Sequence, residues 1–457
     1  MSTGRRRFIQ SSGLAGLGLF TKPLSALAGK GQTYECVEAT PNKPGFNMCG
    51  YAAPKLDTVR IGIIGIGLRG SMAVERLAQI DDVEIKALCD IRQSQVDAAI
   101  TKLDKQKPSL YAGKDDSWRQ VCERTDIDLI YIATPWSLHT EMALSAMEHG
   151  KHVAVEVPAA TTVEDCWRLV LTSERTKKHC VMLENCCYDF FELMTLKMER
   201  DGFFGDIVHC EGAYLHDILE SFFENGKRYD HWRLKENAAH NGNLYPTHGL
   251  GPISQIMKIN RGNRLTYMTS MSSSDFSLGK RNKEAATKDP YYRQFMDSKF
   301  RGNMNVSNIM TESGSTICLQ HDVSSPRPYS RLHIVSGTKA YAQKYPLPAK
   351  IAIGHYDFLN PDEFARIEQQ YTPRLVKEIG ELAKKVGGHG GMDFIMDWRL
   401  IYCLRNGLPM DIDVYDAVTW SVIRPLSELS VSKDSQPVTI PDFTMGRYKN
   451  NTPINID

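Results

Sequence analysis

No stretch of about 20 consecutive apolar residues occurs in the 457-residue chain, so nothing in it reads as a membrane-spanning helix. One-sided charge is missing too: Lys plus Arg (55) nearly balances Asp plus Glu (54). The net charge of +1 gives no electrostatic reason to expect nucleic acid or an anionic bilayer as partner. None of the eleven cysteines forms a CxxC pair, which removes zinc ribbons and thioredoxin-like redox sites. No His, Cys or Asp cluster has metal-site spacing, so no metal is expected. Internal repeats and low-complexity tracts are lacking. What is left is an ordinary globular composition, 42% hydrophobic and 24% charged, on a chain long enough for two or three domains. Cys89, Cys122 and Cys403 fall in apolar periodic segments and read as small core residues. Cys36 and Cys49 precede the first domain and would either pair in an oxidising compartment or stay free.

The N-terminus carries a leader pattern. Arg5-Arg6-Arg7-Phe8-Ile9-Gln10 precedes a short Gly-rich apolar run, Leu14 to Phe20, and then Ala26-Leu27-Ala28. That is a charged region, an apolar region and an A-x-A cleavage site. Arg-Arg-x-Phe followed by an aliphatic residue resembles the twin-arginine signal, whose pathway moves folded proteins. Residues 1–28 are therefore expected to be a signal peptide directing the chain to the periplasm or beyond, the other reading being a basic disordered terminus. Residues 29–57, with Pro41, Pro44 and Pro54, read as an irregular arm.

From Val59 onward, short apolar strands alternate with helical stretches, the signature of a parallel α/β sheet. Strands are predicted at Val59–Ile64, Val83–Cys89, Ile127–Ala133, Val153–Glu156 and Val181–Glu184. Helices are predicted at Ser71–Ile80 and between Ala133 and Gly150. After about residue 188 the rhythm changes: Asn305–Asp322 and Arg331–Ala342 look like antiparallel strands joined by turns, with helices around 361–385 and 392–405. The expected fold is an α/β Rossmann domain over 58–187, then an α+β domain over 188–457 with an open, mainly antiparallel sheet. The C-terminal helices could pack back on the first domain, and the open sheet would offer a homodimer surface.

The strongest local signal is Gly65-Ile66-Gly67-Leu68-Arg69-Gly70, which follows a strand and opens a helix. Asp90 stands twenty residues beyond Gly70, at the end of the next strand. Gly65 makes the turn, Gly67 lets the backbone approach a pyrophosphate, and Gly70 lets helix and strand pack closely. The helix N-terminus presents N–H groups to phosphates. Asp90 can accept hydrogen bonds from both ribose hydroxyls and would repel a 2′-phosphate, so NAD is expected over NADP; Arg92 softens that preference.

With Thr134-Pro135 after the fourth strand and Glu156-Val157-Pro158 after the fifth, the chain resembles the glucose–fructose oxidoreductase/inositol dehydrogenase group over roughly residues 58–345. Further runs bring it closer to one family. Trp136-Ser137-Leu138-His139, Glu184-Asn185, His231-Trp232-Arg233, Gly242-Asn243-Leu244-Tyr245-Pro246-Thr247-His248-Gly249 and the HGGMD run His389–Asp393 resemble glycoside hydrolase family 109, the NAD-dependent α-N-acetylgalactosaminidases. That likeness spans nearly the whole mature chain. It implies a cofactor site made of the fingerprint and Asp90 with Trp136, Ser137, Leu138, His139, Glu156, Val157, Asn185 and Tyr245. It implies sugar contacts from Tyr214, Arg233, Tyr245, Pro246, Thr247 and His248, and from Tyr329 in the loop Pro326–Arg331. His389 is either a hinge-loop residue or a contact of the active site.

One position departs from the wider dehydrogenase pattern Glu-Lys-Pro. Val157 fills the lysine's place and has no proton to move, so either the enzyme has drifted to inactivity or another residue, a histidine or a tyrosine, is the base. His248 is the expected base or proton relay, with Tyr245 beside it. The resemblance implies hydrolysis of terminal α-linked N-acetylgalactosamine with retention: oxidation at C3, elimination at C1, addition of water, and reduction. Export favours such chemistry, because a captive NAD outside the cytoplasm has no pool to reoxidise it. The other readings are a periplasmic sugar oxidoreductase that regenerates its NAD(P) with a second sugar, and a non-catalytic NAD-bound sugar-binding protein.

Overall fold

The computed structural model describes residues 45–103, 106–224, 229–355, 357–453 and 456. The expected leader, most of the arm, and Cys36 with its pairing to Cys49 lie outside the described residues. The described end of the arm is tied down: Met48 N–H donates to the Tyr415 hydroxyl (3.2 Å) and Leu56 N–H to the Leu404 carbonyl (3.0 Å).

The first sheet alternates strand and helix as the pattern requires. Its elements are β1 (Val59–Ile64), α1 (Leu68–Leu77), β2 (Val83–Asp90), α2 (Gln93–Ile100), β3 (Ser109–Ala112) and α3 (Ser117–Glu123). They continue through β4 (Leu129–Ile132), α4 (Trp136–Glu148), β5 (His152–Val155), α5 (Val163–Thr176) and β6 (Cys180–Met182). All pairings are parallel, in the order β3-β2-β1-β4-β5-β6. β4 and β5 are buried along their whole length, because helices cover both faces of a parallel sheet. Strand order reverses between β1 and β4, and in open α/β sheets ligands bind in the crevice beyond the strand ends at such a point.

The second sheet follows α6 (Phe190–Arg200). It comprises β7 (Ile207–Leu215), β8 (Leu265–Ser272), β9 (Asn305–Thr311), β10 (Thr316–Asp322), β11 (Ser330–Gly337), β12 (Ala340–Gln343), β13 (Lys350–Ile353) and β14 (Val438–Thr439). Interleaved with these are α7 (Trp232–Ala239), α8 (Thr247–Ile256), α9 (Leu278–Lys288), α10 (Pro361–Tyr371), α11 (Arg374–Val386), α12 (Met392–Asn406), α13 (Val414–Ser421) and α14 (Ile423–Ser432). The order is β13-β12-β11-β7-β10-β9-β8-β14, antiparallel except where β7 lies parallel to β10. In β9, β10 and β11 burial alternates residue by residue, as it must when helices cover one face only. α8 and α14 lie on that covered face, while α12 packs on α1 and β1, and α13 on α5 and β6. The C-terminal helices therefore complete the packing of the first sheet.

Most predicted elements are present, with shifted ends. The first helix opens at Leu68, three residues before the predicted Ser71, because Gly67 is its N-cap and Gly70 already lies inside it. The single helix expected around 361–385 is two, α10 and α11, divided at Pro373, which caps α11.

Candidate functional site

A cleft of about 560 Å³ lies beyond the strand ends of the first sheet. The turn after β1 forms its floor. Gly65 has φ +88°, and a Cβ there would stand 2.7 Å from the Ala133 backbone. At Gly70 a Cβ would stand 1.8 Å from the Gly65 carbonyl oxygen. Gly67 is different: its Cβ would meet only the Arg92 guanidinium, at 3.6 Å. The protein itself thus requires Gly65 and Gly70, while Gly67 leaves room on the cleft side, as a phosphate approaching the backbone would need. α1 has no side-chain cap, so its leading N–H groups are available to an anion. Asp90 accepts from Ile66 N–H on Oδ2 (2.8 Å) and from Arg92 N–H (2.9 Å) and Nε (3.3 Å) on Oδ1, which leaves a lone pair on Oδ2 for a ribose hydroxyl. The turn, the uncapped helix and the Asp90 carboxylate suit a dinucleotide.

Arg69 points elsewhere. Its guanidinium bonds Glu156 (2.7 Å) and Asp393 (2.9 Å) and approaches His389 Nδ1 (3.3 Å). It thereby ties the phosphate turn to the end of β5 and the start of α12. Asp393 also accepts from Asn185 (2.5 Å) and His389 (2.9 Å) and lies 3.6 Å from Arg76. Burial alone would raise the Asp393 carboxyl, but His389, Arg69 and Arg76 hold it far below the usual carboxylate range. The loop that presents His389 has positive φ at five consecutive residues, Gly387 (+92°) to Gly391 (+110°), including His389 itself (+46°). A conformation so rarely adopted by an L residue is retained where surroundings over-determine it, which is typical of functional loops.

The other end of the cleft is built by a close crossing of backbones. A Cβ on Gly212 of β7 would stand 2.3 Å from the Gly249 carbonyl oxygen at the start of α8. That approach brings Tyr214 and His248, near neighbours along the two elements, to a ring separation of 5.4 Å. Tyr245 stands 4.8 Å from both Tyr214 and His248 and stacks on Trp136 at 5.5 Å. α8 opens at Thr247, so Tyr245 sits just before the helix, yet the two side chains still meet. Arg233 lies over Trp136, Trp232 and Tyr245 at 5.0–5.3 Å, a guanidinium boxed by three rings. Burial pushes the Tyr245 phenol well above its ordinary value, which favours its protonated, hydrogen-bond-donating form.

His248 Nδ1 stands 2.6 Å from Glu184 Oε1. Glu184 is fully buried at the end of β6 and also accepts from Cys186 N–H (3.1 Å). Burial would raise its carboxyl; the charge and hydrogen bond of His248 hold it below the ordinary value. An ionised carboxylate accepts only, so the His248 proton sits on Nδ1 and Nε2 is left as the acceptor. Glu184, Cys186 and His248 bring ligand-type atoms within 4.8 Å of one another, and the contact made there is this hydrogen bond.

Most expected site residues meet in this one cleft: Gly65, Gly67, Leu68, Arg69 and Asp90 line it with Trp136, Leu138, His139, Glu156, Val157 and Asn185. Tyr214, Arg233, Tyr245 and His248 line the other part. Five stand apart from the lining: Gly70, Ser137, Pro246, Thr247 and Tyr329. Gly70 works inside α1, Ser137 is exposed on α4, and Pro246 and Thr247 are buried at the start of α8. Tyr329 packs edge-on against His216 (4.9 Å), next to Tyr214. His139 reaches the cleft, but its two ring nitrogens face the Thr134 and Pro158 carbonyls at 2.8 Å, fastening the loops after β4 and β5. Sequence reading missed Glu184 as a site residue although Glu184-Asn185 stood in a recognised run. It also missed Asp393 as the partner of His389.

Comparison with known proteins places this geometry. Residues 188–450 match the family described as glycosyl hydrolase 109, C-terminal domain, and residues 59–184 the oxidoreductase family, NAD-binding Rossmann fold. The chain is 44% identical to glycosyl hydrolase family 109 protein 1 of Bacteroides fragilis, over 95% of each sequence. It is 48% identical to an alpha-N-acetylgalactosaminidase of the same organism, over 88% of this chain and 96% of that one. Among solved structures, scyllo-inositol dehydrogenase from Lactobacillus casei with bound NAD(H) and scyllo-inositol shares the fold at TM-score 0.60. It is 14% identical and aligns over 84% of this chain and 99% of its own. The fingerprint turn, Asp90 and the Glu184–His248 pair therefore belong to a member of glycosyl hydrolase family 109, an enzyme with an NAD-binding Rossmann domain.

Proposed function

We propose that the chain hydrolyses terminal α-linked N-acetylgalactosamine by a redox-neutral, NAD-dependent sequence of oxidation, elimination, addition and reduction, with retention. The observation that carries this reading is the Glu184–His248 pair standing in the same cleft as the dinucleotide turn. Bound along that turn, NAD⁺ supplies reversible oxidation of a ring hydroxyl to a ketone, which acidifies the neighbouring C–H and opens an elimination route past the glycosidic bond.

The chain's own residues supply the rest. His248 Nε2 takes and returns the proton of the reacting hydroxyl, with Glu184 fixing its tautomer and stabilising its charged form. The Tyr245 phenol, kept protonated by burial, donates to the same oxygen. His389, oriented through Nδ1 by Asp393, is a second cleft-lining group able to hold a proton, for the ring carbon or the departing oxygen. Arg233, framed by its three rings, suits the acetamido or hydroxyl oxygens of the sugar. Ordinary glycosidases need two free carboxylates across the scissile bond. Here Glu156 is engaged by Arg69 and Asp90 by the backbone of the phosphate turn, so acid–base work falls to histidine. Val157 is buried and apolar, which supports this reading over the periplasmic sugar oxidoreductase.

The sugar assignment rests on the 48%-identical relative named alpha-N-acetylgalactosaminidase. A panel of p-nitrophenyl glycosides assayed without added cofactor tests it. Nitrophenol release from the α-N-acetylgalactosaminide well above all other glycosides is expected; preference for an unacetylated or β-linked sugar would overturn it. Twin-arginine export to the periplasm completes the proposal, and retention of active Arg5→Lys/Arg6→Lys enzyme in the cytoplasm tests it.

A further inference from the structure

The cleft is not lined by the first sheet alone over its dinucleotide half. Tyr229, from the connection between β7 and α7, lines it beside Asp90 and Arg92. The Arg92 guanidinium lies over the Tyr229 ring, 5.6 Å from its centroid, within the range of a cation–π contact. Arg92 is itself stationed by Asp90, through its backbone N–H (2.9 Å) and Nε (3.3 Å). Its Nη2 lies 3.6 Å from where a Cβ on Gly67 would be. The contact therefore spans from the ribose-binding carboxylate and the phosphate turn to the other side of the cleft.

The Tyr229 side is equally fixed. Asp230 and His231 are both left-handed, with φ of 49° and 47°, a costly turn for two successive residues that are not glycine. Asp230 is held by Lys235 and by the Tyr291 hydroxyl (3.3 Å). His231 packs on Tyr291 at 4.8 Å and bonds the Phe222 carbonyl through Nδ1 at 3.0 Å. Tyr229 is itself 43% exposed, and these contacts fix the backbone turn from which its side chain extends.

We propose that Tyr229 and Arg92 form a clasp across the cleft that retains the dinucleotide, so that the cofactor leaves only when the cation–π contact parts. The proposal rests on NAD binding at the fingerprint turn and is independent of which sugar is cleaved. A captive cofactor is what redox-neutral chemistry requires, and the clasp supplies it by contact between side chains on the two sides of the cleft.

The test uses holoenzyme as purified. Bound NAD per chain is measured after extended dialysis, and its loss is timed on transfer to cofactor-free buffer. Tyr229→Ala is expected to lose NAD at least ten-fold faster than the parent protein, and Tyr229→Phe, which keeps the ring, to lose it at the parent rate. Arg92→Ala accelerates loss, and the double variant Arg92→Ala/Tyr229→Ala loses NAD no faster than the quicker single variant. Melting temperature in saturating NAD confirms that each variant is folded. Parent-like retention in Tyr229→Ala, or independent additive effects of the two substitutions, would overturn the clasp. Failure of the glycosidase reading would show in the nitrophenyl assays and leave these retention times untouched.

Discussion

Glu184 and His248, 64 positions apart in sequence, meet at 2.6 Å in a pair that is buried at its carboxylate end and reaches the cleft at its imidazole end. A carboxylate that fixes an imidazole tautomer and stabilises its protonated form serves a proton carrier. His248→Ala and Glu184→Gln are therefore expected to lower kcat by roughly 100-fold or more while NAD stays bound. Kinetics together with NAD content per chain checks this. Near-parental kcat in His248→Ala would remove the role assigned to it.

The three fingerprint glycines should fail in different ways. Gly70→Ala, whose Cβ would lie 1.8 Å from a backbone oxygen, is expected to prevent folding. Gly67→Ala meets no atom of the described residues closer than 3.6 Å and should fold normally yet purify with little NAD. Thermal melts paired with cofactor content separate the two outcomes.

His389 and Asp393 share a hydrogen bond but carry different loads. Asp393 faces two arginines and Asn185, so Asp393→Ala strands buried charge and should cost about 3–5 kcal/mol of stability. The His389 side chain is half exposed, and His389→Ala should stay within about 1 kcal/mol of the parent while lowering kcat. Urea unfolding and steady-state kinetics on both variants check the contrast.

Burial pushes His179 and His333 down to about 4, from an ordinary value near 6.5. Between those values the unfolded chain binds protons that the folded chain does not, so each contribution to stability is complete above pH 6.5 and lost as pH falls toward 4. The loss amounts to roughly 3 kcal/mol per histidine at most. His179→Phe keeps a ring against His152 and Tyr51 and should flatten the fall in urea midpoint over that window. An unchanged pH slope in the variant would contradict this.

Local chemistry made much of this legible in sequence. β1 falls on the predicted Val59–Ile64, and the fingerprint declares its turn because a phosphate site needs glycine at fixed offsets. β3 gives no apolar run, being an edge strand with no buried residue. α13 is buried all round, so its residues show no polar face to mark a helix. The parallel pairing of β7 with β10 depends on contacts about a hundred residues apart, beyond any local pattern. His248 was found through its motif, but its partner Glu184 looked like the last residue of an apolar strand. Only the crossing of Gly212 and Gly249 shows how that strand end and that helix share one cleft.

The redox chemistry should return to its starting point in every turnover. It is tested most directly by running the as-purified enzyme on p-nitrophenyl α-N-acetylgalactosaminide in D₂O, without added cofactor, while following nitrophenol and reduced cofactor together. Many turnovers per chain, no accumulating reduced cofactor and deuterium at C2 of the released sugar are expected. Hydrolysis that leaves the C2 proton in place, or a single equivalent of reduced cofactor followed by arrest, would contradict it.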